Sequence, residues 1–130
     1  MKRNIIMLCI FGLVVGLAVV DVMFTTRFYN RTLDNLYAAD ISIEQNIENI
    51  NNCQTVALAN KANDDWEKGK RHLMMLVNHN VVRYVDEKFV SLLTQVESNN
   101  YIDAIVSSKT LISYIKDLKE ENHPYLRNIL

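Results

Sequence analysis

Residues Ile5 to Val20 read IIMLCIFGLVVGLAVV, without one charged or amide side chain. Asp21 interrupts the run, and Val22, Met23 and Phe24 extend it. At about 1.5 Å per residue, Asn4 to Phe24 matches a hydrocarbon core of roughly 30 Å. Residues 5–24 are therefore read as a transmembrane anchor helix. Asp21 then falls near the far interface, where a carboxylate reaches water; at the bilayer centre it would be costly. A buried core helix is the weaker reading, because a domain this small cannot surround a helix that is apolar on all sides.

Lys2, Arg3 and the terminal amine precede the run, and Arg27 and Arg31 follow it, offset by Asp21 and Asp34. This bias, with a basic start leading directly into an apolar run, places residues 1–4 in the cytoplasm. Residues 25–130 become a helical extracytoplasmic domain on a single-pass anchor. Cleavage as a signal peptide would use Gly16 and Ala18, yet the run is apolar on both sides of them. A lipoprotein cysteine needs small residues before it, whereas Cys9 follows Leu8. Gly12 and Gly16 form a GxxxG pair, a spacing that lets another membrane helix approach closely, and they are candidate partner contacts.

Outside the anchor the chain reads as helix. It has 3 Gly and 1 Pro in 130 residues, too few for the turns of a strand architecture. Leu33, Leu36, Tyr37, Ile43, Ile47, Ile50, Ala57 and Leu58 recur at helical spacing, continuing from the anchor, with a kink or break expected at Asn49, Asn51 and Asn52. Asn63 or Asp64 reads as the N-cap of a second helix running to about Ser98 through Trp66, Leu73, Leu76, Val85, Phe89 and Val96. Asn99 and Asn100 break it. Asn100 with Asp103 resembles a capping box for a third helix carrying Ala104, Ser108, Leu111, Ile112, Ile115 and Leu118, which Pro124 ends. Short connections make neighbours antiparallel. The expected fold is all-α: a transmembrane helix followed by an antiparallel three-helix ectodomain of long helices. The third helix would start near the membrane, leaving Asn52 to Leu76 as a distal two-helix hairpin. Trp66 is then either a partner contact or the anchor of the hairpin core.

Chemical equipment is sparse. His72 and His79 would share one face of the second helix, but metal pairs on helices sit three or four apart and no carboxylate completes a ligand set. Lys68, Lys70 and Arg71 alternate with Asp64, Asp65 and Glu67 and read as a solvated face. Cys9 and Cys53 are too far apart in kind of environment to pair, and Cys53 reads as a small buried apolar residue. No phosphate loop, CxxC or nucleophile elbow is present, so neither an enzyme nor a cofactor is expected. A net charge of −1 leaves no basic stripe for nucleic acid.

A basic start, one span, Trp66 leading into a helix with Asn78-His79, an amphipathic helix ending near Glu121, and the tail Asn128-Ile129-Leu130 resemble the bacterial domain of unknown function family 4363. The resemblance implies a single-span protein of spore-forming Gram-positive bacteria that accompanies a larger membrane protein of the YetF type. It implies no functional residues. The expected function is that of a membrane-anchored accessory or interaction protein, with the spore membrane as one setting. The alternative is a sensor-like ectodomain holding a ligand between helices. Besides the glycine pair and Trp66, His79 and Leu126 are candidate partner contacts, and a homo-oligomer is compatible with the reading.

Overall fold

The computed structural model describes residues 1–75 and 77–122. These fold as four helices without strands: α1 (Lys2–Gln45), α2 (Cys53–Leu73), α3 (His79–Glu97) and α4 (Tyr101–Asn122). The all-α class holds. Leu76, Pro124 and the tail residues Tyr125, Leu126, Ile129 and Leu130 lie outside the described residues.

Helix α1 is one rod of 44 residues, roughly 66 Å long. No proline interrupts it, and its two glycines lie within the apolar run. Burial divides it. Every residue from Met1 to Val20 is exposed. From Thr25 onward Phe28, Tyr29, Thr32, Leu33, Leu36, Ala39, Asp40 and Ile43 are buried at spacings of three and four. The first half therefore projects as a stalk, and the second half is one corner of a bundle.

The other helices carry the same kind of stripe. In α2 it is Thr55, Ala59, Ala62, Trp66, Gly69 and Leu73; in α3, Val82, Val85, Phe89, Leu92 and Val96. In α4 it is Ala104, Ser108, Leu111, Ile115 and Leu118. Alternating steps of three and four suit side chains that interlock between antiparallel helices. Each helix packs on its two neighbours in the cyclic order α1, α2, α3, α4. Pairs across the seams fix the directions: Ser42 with Thr55, Trp66 with Asp86, Gln95 with Ser107, and Asp40 with Ser108.

Two boundaries differ from expectation. The second expected helix is two helices, and its start is not at Asn63 or Asp64. The chain passes through Asn60 to Asp65 as helix because Ala59, Ala62 and Trp66 keep the buried stripe in phase. Polar residues inside a helix cost only about 0.7 kcal/mol each, less than the burial they would interrupt. The cap is Asn52, whose side chain accepts from the Thr55 N–H at 2.9 Å. The second break lies between Leu73 and His79. Lys70, Arg71 and His72 fill the last turn of α2, where positive charge suits the helix dipole, and Asn78 caps α3 by accepting from the Asn80 N–H.

The extra helix reverses α4. It starts at the far end and runs back toward the stalk, so no distal hairpin is left uncovered. The far end is closed by Asn99, in the left-handed region at φ 56°, where asparagine is tolerated. Its side-chain oxygen accepts from the Ile50 N–H at 2.9 Å and its amide donates to the Glu48 carbonyl at 3.2 Å. Asn100 caps α4 as expected, its side-chain oxygen accepting from the Asp103 N–H at 3.3 Å, but the box is not reciprocal: the Asp103 carboxylate accepts from the Asn100 side-chain amide, while the Asn100 N–H donates to the Gln95 carbonyl. Asn99→Ala loses both bonds and strains the backbone, and is expected to cost about 2–3 kcal/mol. Asn99→Gly loses only the bonds and should cost about half as much. Thermal unfolding of the full chain in detergent measures both.

Candidate functional site

The stalk end of the bundle, where α1 leaves the core, carries the densest set of unusual contacts. Gly69 of α2 lies directly against the Phe28 ring of α1, and a Cβ there would stand 2.1 Å from the ring. The missing side chain lets Phe28 lie against the helix backbone. Phe28 in turn packs on Trp66 at 5.5 Å between centroids, and Trp66 stacks on Phe89 at 6.2 Å. The aromatic column thus runs from α1 through α2 to α3.

The Trp66 indole N–H donates to Asp86 at 2.7 Å. The other Asp86 oxygen accepts from Lys70 at 3.4 Å, and Lys70 also pairs with Glu67 at 2.7 Å. The Glu67 hydrogen bond, aided by the Asp86 charge, holds the Lys70 ammonium above its ordinary pKa, with partial burial working against it. Its contribution to folding is therefore complete at neutral pH and is lost only as pH climbs above the ordinary lysine range.

One turn nearer the stalk, Phe24 meets the His72 ring edge-on at 5.0 Å, and His72 pairs with the Asp21 carboxylate. Asp21, the one acidic residue of the apolar segment, thus lies against a side chain from α2. Between α1 and α2 lies a groove of about 230 Å³ lined by Phe24, Arg27, Phe28, Arg31, Asp65, Lys68 and Gly69. Farther out on the α1–α4 seam, buried Asp40 accepts from Ser108 and from Lys109 at 3.2 Å, and Lys109 also pairs with Glu44. Those two carboxylates raise the Lys109 pKa.

The sequence candidates are dispersed. Gly12 and Gly16 are exposed on the stalk, with nothing among the described residues within 4 Å of a Cβ at either. Trp66 is fully buried and belongs to the core, so its reading as an exposed contact is set aside. His79 is exposed at the start of α3 and is separated from His72 by the α2–α3 turn, so the two do not share a helix face. Leu126 lies outside the described residues. Cys53 is exposed, not buried, because the α2 stripe begins at Thr55 two residues on. Among the described residues no group of three His, Cys, Asp or Glu could hold a metal ion. Gly69, Asp86 and the grouping of Arg27 and Arg31 with Lys68 were not read from the sequence. The glycine inside an otherwise unbroken helical pattern was the one available signal.

The profile of the family described as Domain of unknown function (DUF4363) matches residues 23–129. The chain belongs to this family. The DUF4363 match begins two residues before Thr25, the first buried residue of α1, and takes in all four helices of the bundle. It leaves the apolar run of the stalk outside. No curated protein and no solved structure matches the chain. Among the described residues α1 is the one helix long and apolar enough to cross a membrane, and its apolar part has no burial inside the bundle.

Proposed function

We propose that the protein is a single-pass, membrane-anchored accessory protein whose helical bundle binds a larger membrane protein. The observation that carries this reading is a set of exposed apolar side chains away from the stalk. Ile41 on α1 and Ile47 in the turn after it are 52% and 54% exposed, and Ile102 and Val106 on α4 are 70% and 58% exposed. Asp40 meets Ser108 across the seam of these antiparallel helices, so Ile41 and Val106 stand at about one height and Ile102 about one turn farther out, toward the end where Ile47 lies. Large apolar side chains exposed away from the stalk are what a protein partner would cover.

Lys2 and Arg3 before the apolar run support a cytoplasmic N-terminus with the bundle outside. A YetF-type membrane protein as the partner, and the spore membrane as the setting, rest on the family resemblance. A ligand held between the helices is the second reading, and the burial of Trp66, Phe89, Leu92 and Ile115 in one hydrophobic core weighs against it.

Tagged full-length protein, extracted from its native membranes in mild detergent, is expected to bring down one integral membrane protein in fixed ratio. Ile102→Asp with Val106→Asp should release that protein while the bundle stays folded. Recovery of the chain alone, or a partner indifferent to the double variant, contradicts the reading.

A further inference from the structure

We propose that the groove between α1 and α2 at the stalk end holds the phosphate headgroup of an anionic membrane lipid. The inference rests on reading residues 5–24 as a membrane span. Arg27, Arg31 and Lys68 enter the groove from two helices, and all three are exposed. No ion pair is formed by any of them among the described residues. The one carboxylate lining the groove, Asp65, is engaged by the amide of Asn35. Three cations against one occupied carboxylate leave a surplus of positive charge suited to a phosphate, and arginine can grip it through two parallel N–H bonds.

Height along α1 separates a lipid from a soluble anion. Leu17, Val20, Phe24, Arg27 and Arg31 follow one another at steps of three and four, so they form one stripe on α1. Leu17, Val20 and Phe24 are 63%, 64% and 50% exposed. The stripe is apolar below and basic above, in the order of an acyl chain and its headgroup. Arg27 stands about 4.5 Å and Arg31 about 10 Å beyond Phe24. The headgroup layer extends roughly 5–8 Å beyond the hydrocarbon, within reach of both side chains. Lys68 is one turn of α2 above His72, which itself packs on Phe24. Met75 in the turn after α2 is 83% exposed at the same end of the bundle, an apolar side chain placed to dip into the interface.

The test uses the full chain reconstituted into vesicles of equal parts phosphatidylglycerol and phosphatidylcholine, extracted in mild detergent and examined for retained lipid by native mass spectrometry. Phosphatidylglycerol is expected to be retained about fivefold or more over phosphatidylcholine. The preference should vanish in Arg27→Gln/Arg31→Gln/Lys68→Gln and persist in Lys61→Gln, an exposed lysine of α2 outside the groove. Circular dichroism confirms that each variant is folded. Excess inorganic phosphate should leave the retained lipid in place. Equal retention of the two lipids, an unaltered preference in the triple variant, or displacement by inorganic phosphate overturns the headgroup site. Failure of the chain to insert at all overturns the anchor reading and this site with it.

Discussion

Trp66→Ala is expected to lower the stability of the bundle by about 3–5 kcal/mol, the largest effect of any single truncation in the chain. Trp66 has no exposed surface and touches aromatic rings from two other helices, Phe28 of α1 and Phe89 of α3. Removing it opens a cavity between three helices at once. It also takes the indole donor from Asp86, leaving that half-buried carboxylate with Lys70 alone. Trp66→Phe separates the two effects: most of the packing remains, the hydrogen bond does not, and a loss of about 1–2 kcal/mol is expected. Chemical denaturation of the full chain in detergent, followed by far-ultraviolet circular dichroism, measures both. A loss below about 1 kcal/mol in the alanine variant would show that the aromatic column is not the core.

Leu13→Arg combined with Leu17→Arg is expected to release the protein from membranes. Each arginine near the centre of a span costs roughly 2.5–3.5 kcal/mol on the insertion scale, while each large aliphatic residue returns only about 0.3–0.6 kcal/mol. Two charges therefore offset most of the favourable transfer of Ile5 to Val20. Both leucines are exposed on the stalk and touch no part of the bundle core, so the soluble product should keep its four-helix fold. Fractionation of cells expressing the variant, with limited proteolysis of the soluble fraction, reads both outcomes. Gly12→Leu with Gly16→Leu should leave membrane retention intact, since nothing among the described residues approaches either glycine.

The parts of this fold that were legible in the sequence are those set by local chemistry. The apolar run, the break at Asn99 and Asn100, and the Asn100 cap on the Asp103 N–H all depend on neighbours within a turn. The α2–α3 break was not legible. Met74 to Val77 contains no glycine or proline, and Asn78 reads as a tolerated interior residue until its side chain is seen to cap Asn80. Asn63 and Asp64 gave the opposite error, since a plausible cap is overridden where the buried stripe runs straight through it. The missed α2–α3 break turned four helices into three and left open an exposed-contact reading of Trp66 beside the core reading that the structure shows.

The groove was hidden for a related reason. Lys68 and Lys70 with Arg71 look like a solvated helix face, and Arg27 with Arg31 look like flanking charges of a span. Only the antiparallel register, with Gly69 against Phe28, brings Arg27, Arg31 and Lys68 together. Glycine in mid-helix costs about 1 kcal/mol relative to alanine, and the offsetting contact with Phe28 lies on another helix. Lys109 is a parallel case, since its partners Asp40 and Glu44 are far away in sequence.

In the proposed topology the span and the first helix of the bundle are one continuous rod, α1, that leaves the hydrocarbon between Asp21 and Phe24. A spin-label scan along α1 of the full chain in vesicles, with Cys9 and Cys53 replaced by serine, tests it directly through accessibility to oxygen and to a water-soluble nickel complex. Labels from Ile5 to Val20 should be open to oxygen and closed to nickel on every face. From Asp21 onward nickel accessibility should rise and fall with a period of about 3.6 residues, with minima at the positions of Phe28, Leu36 and Ile43. Nickel access along Ile5 to Val20, or loss of the helical period between Asp21 and Thr32, would contradict it.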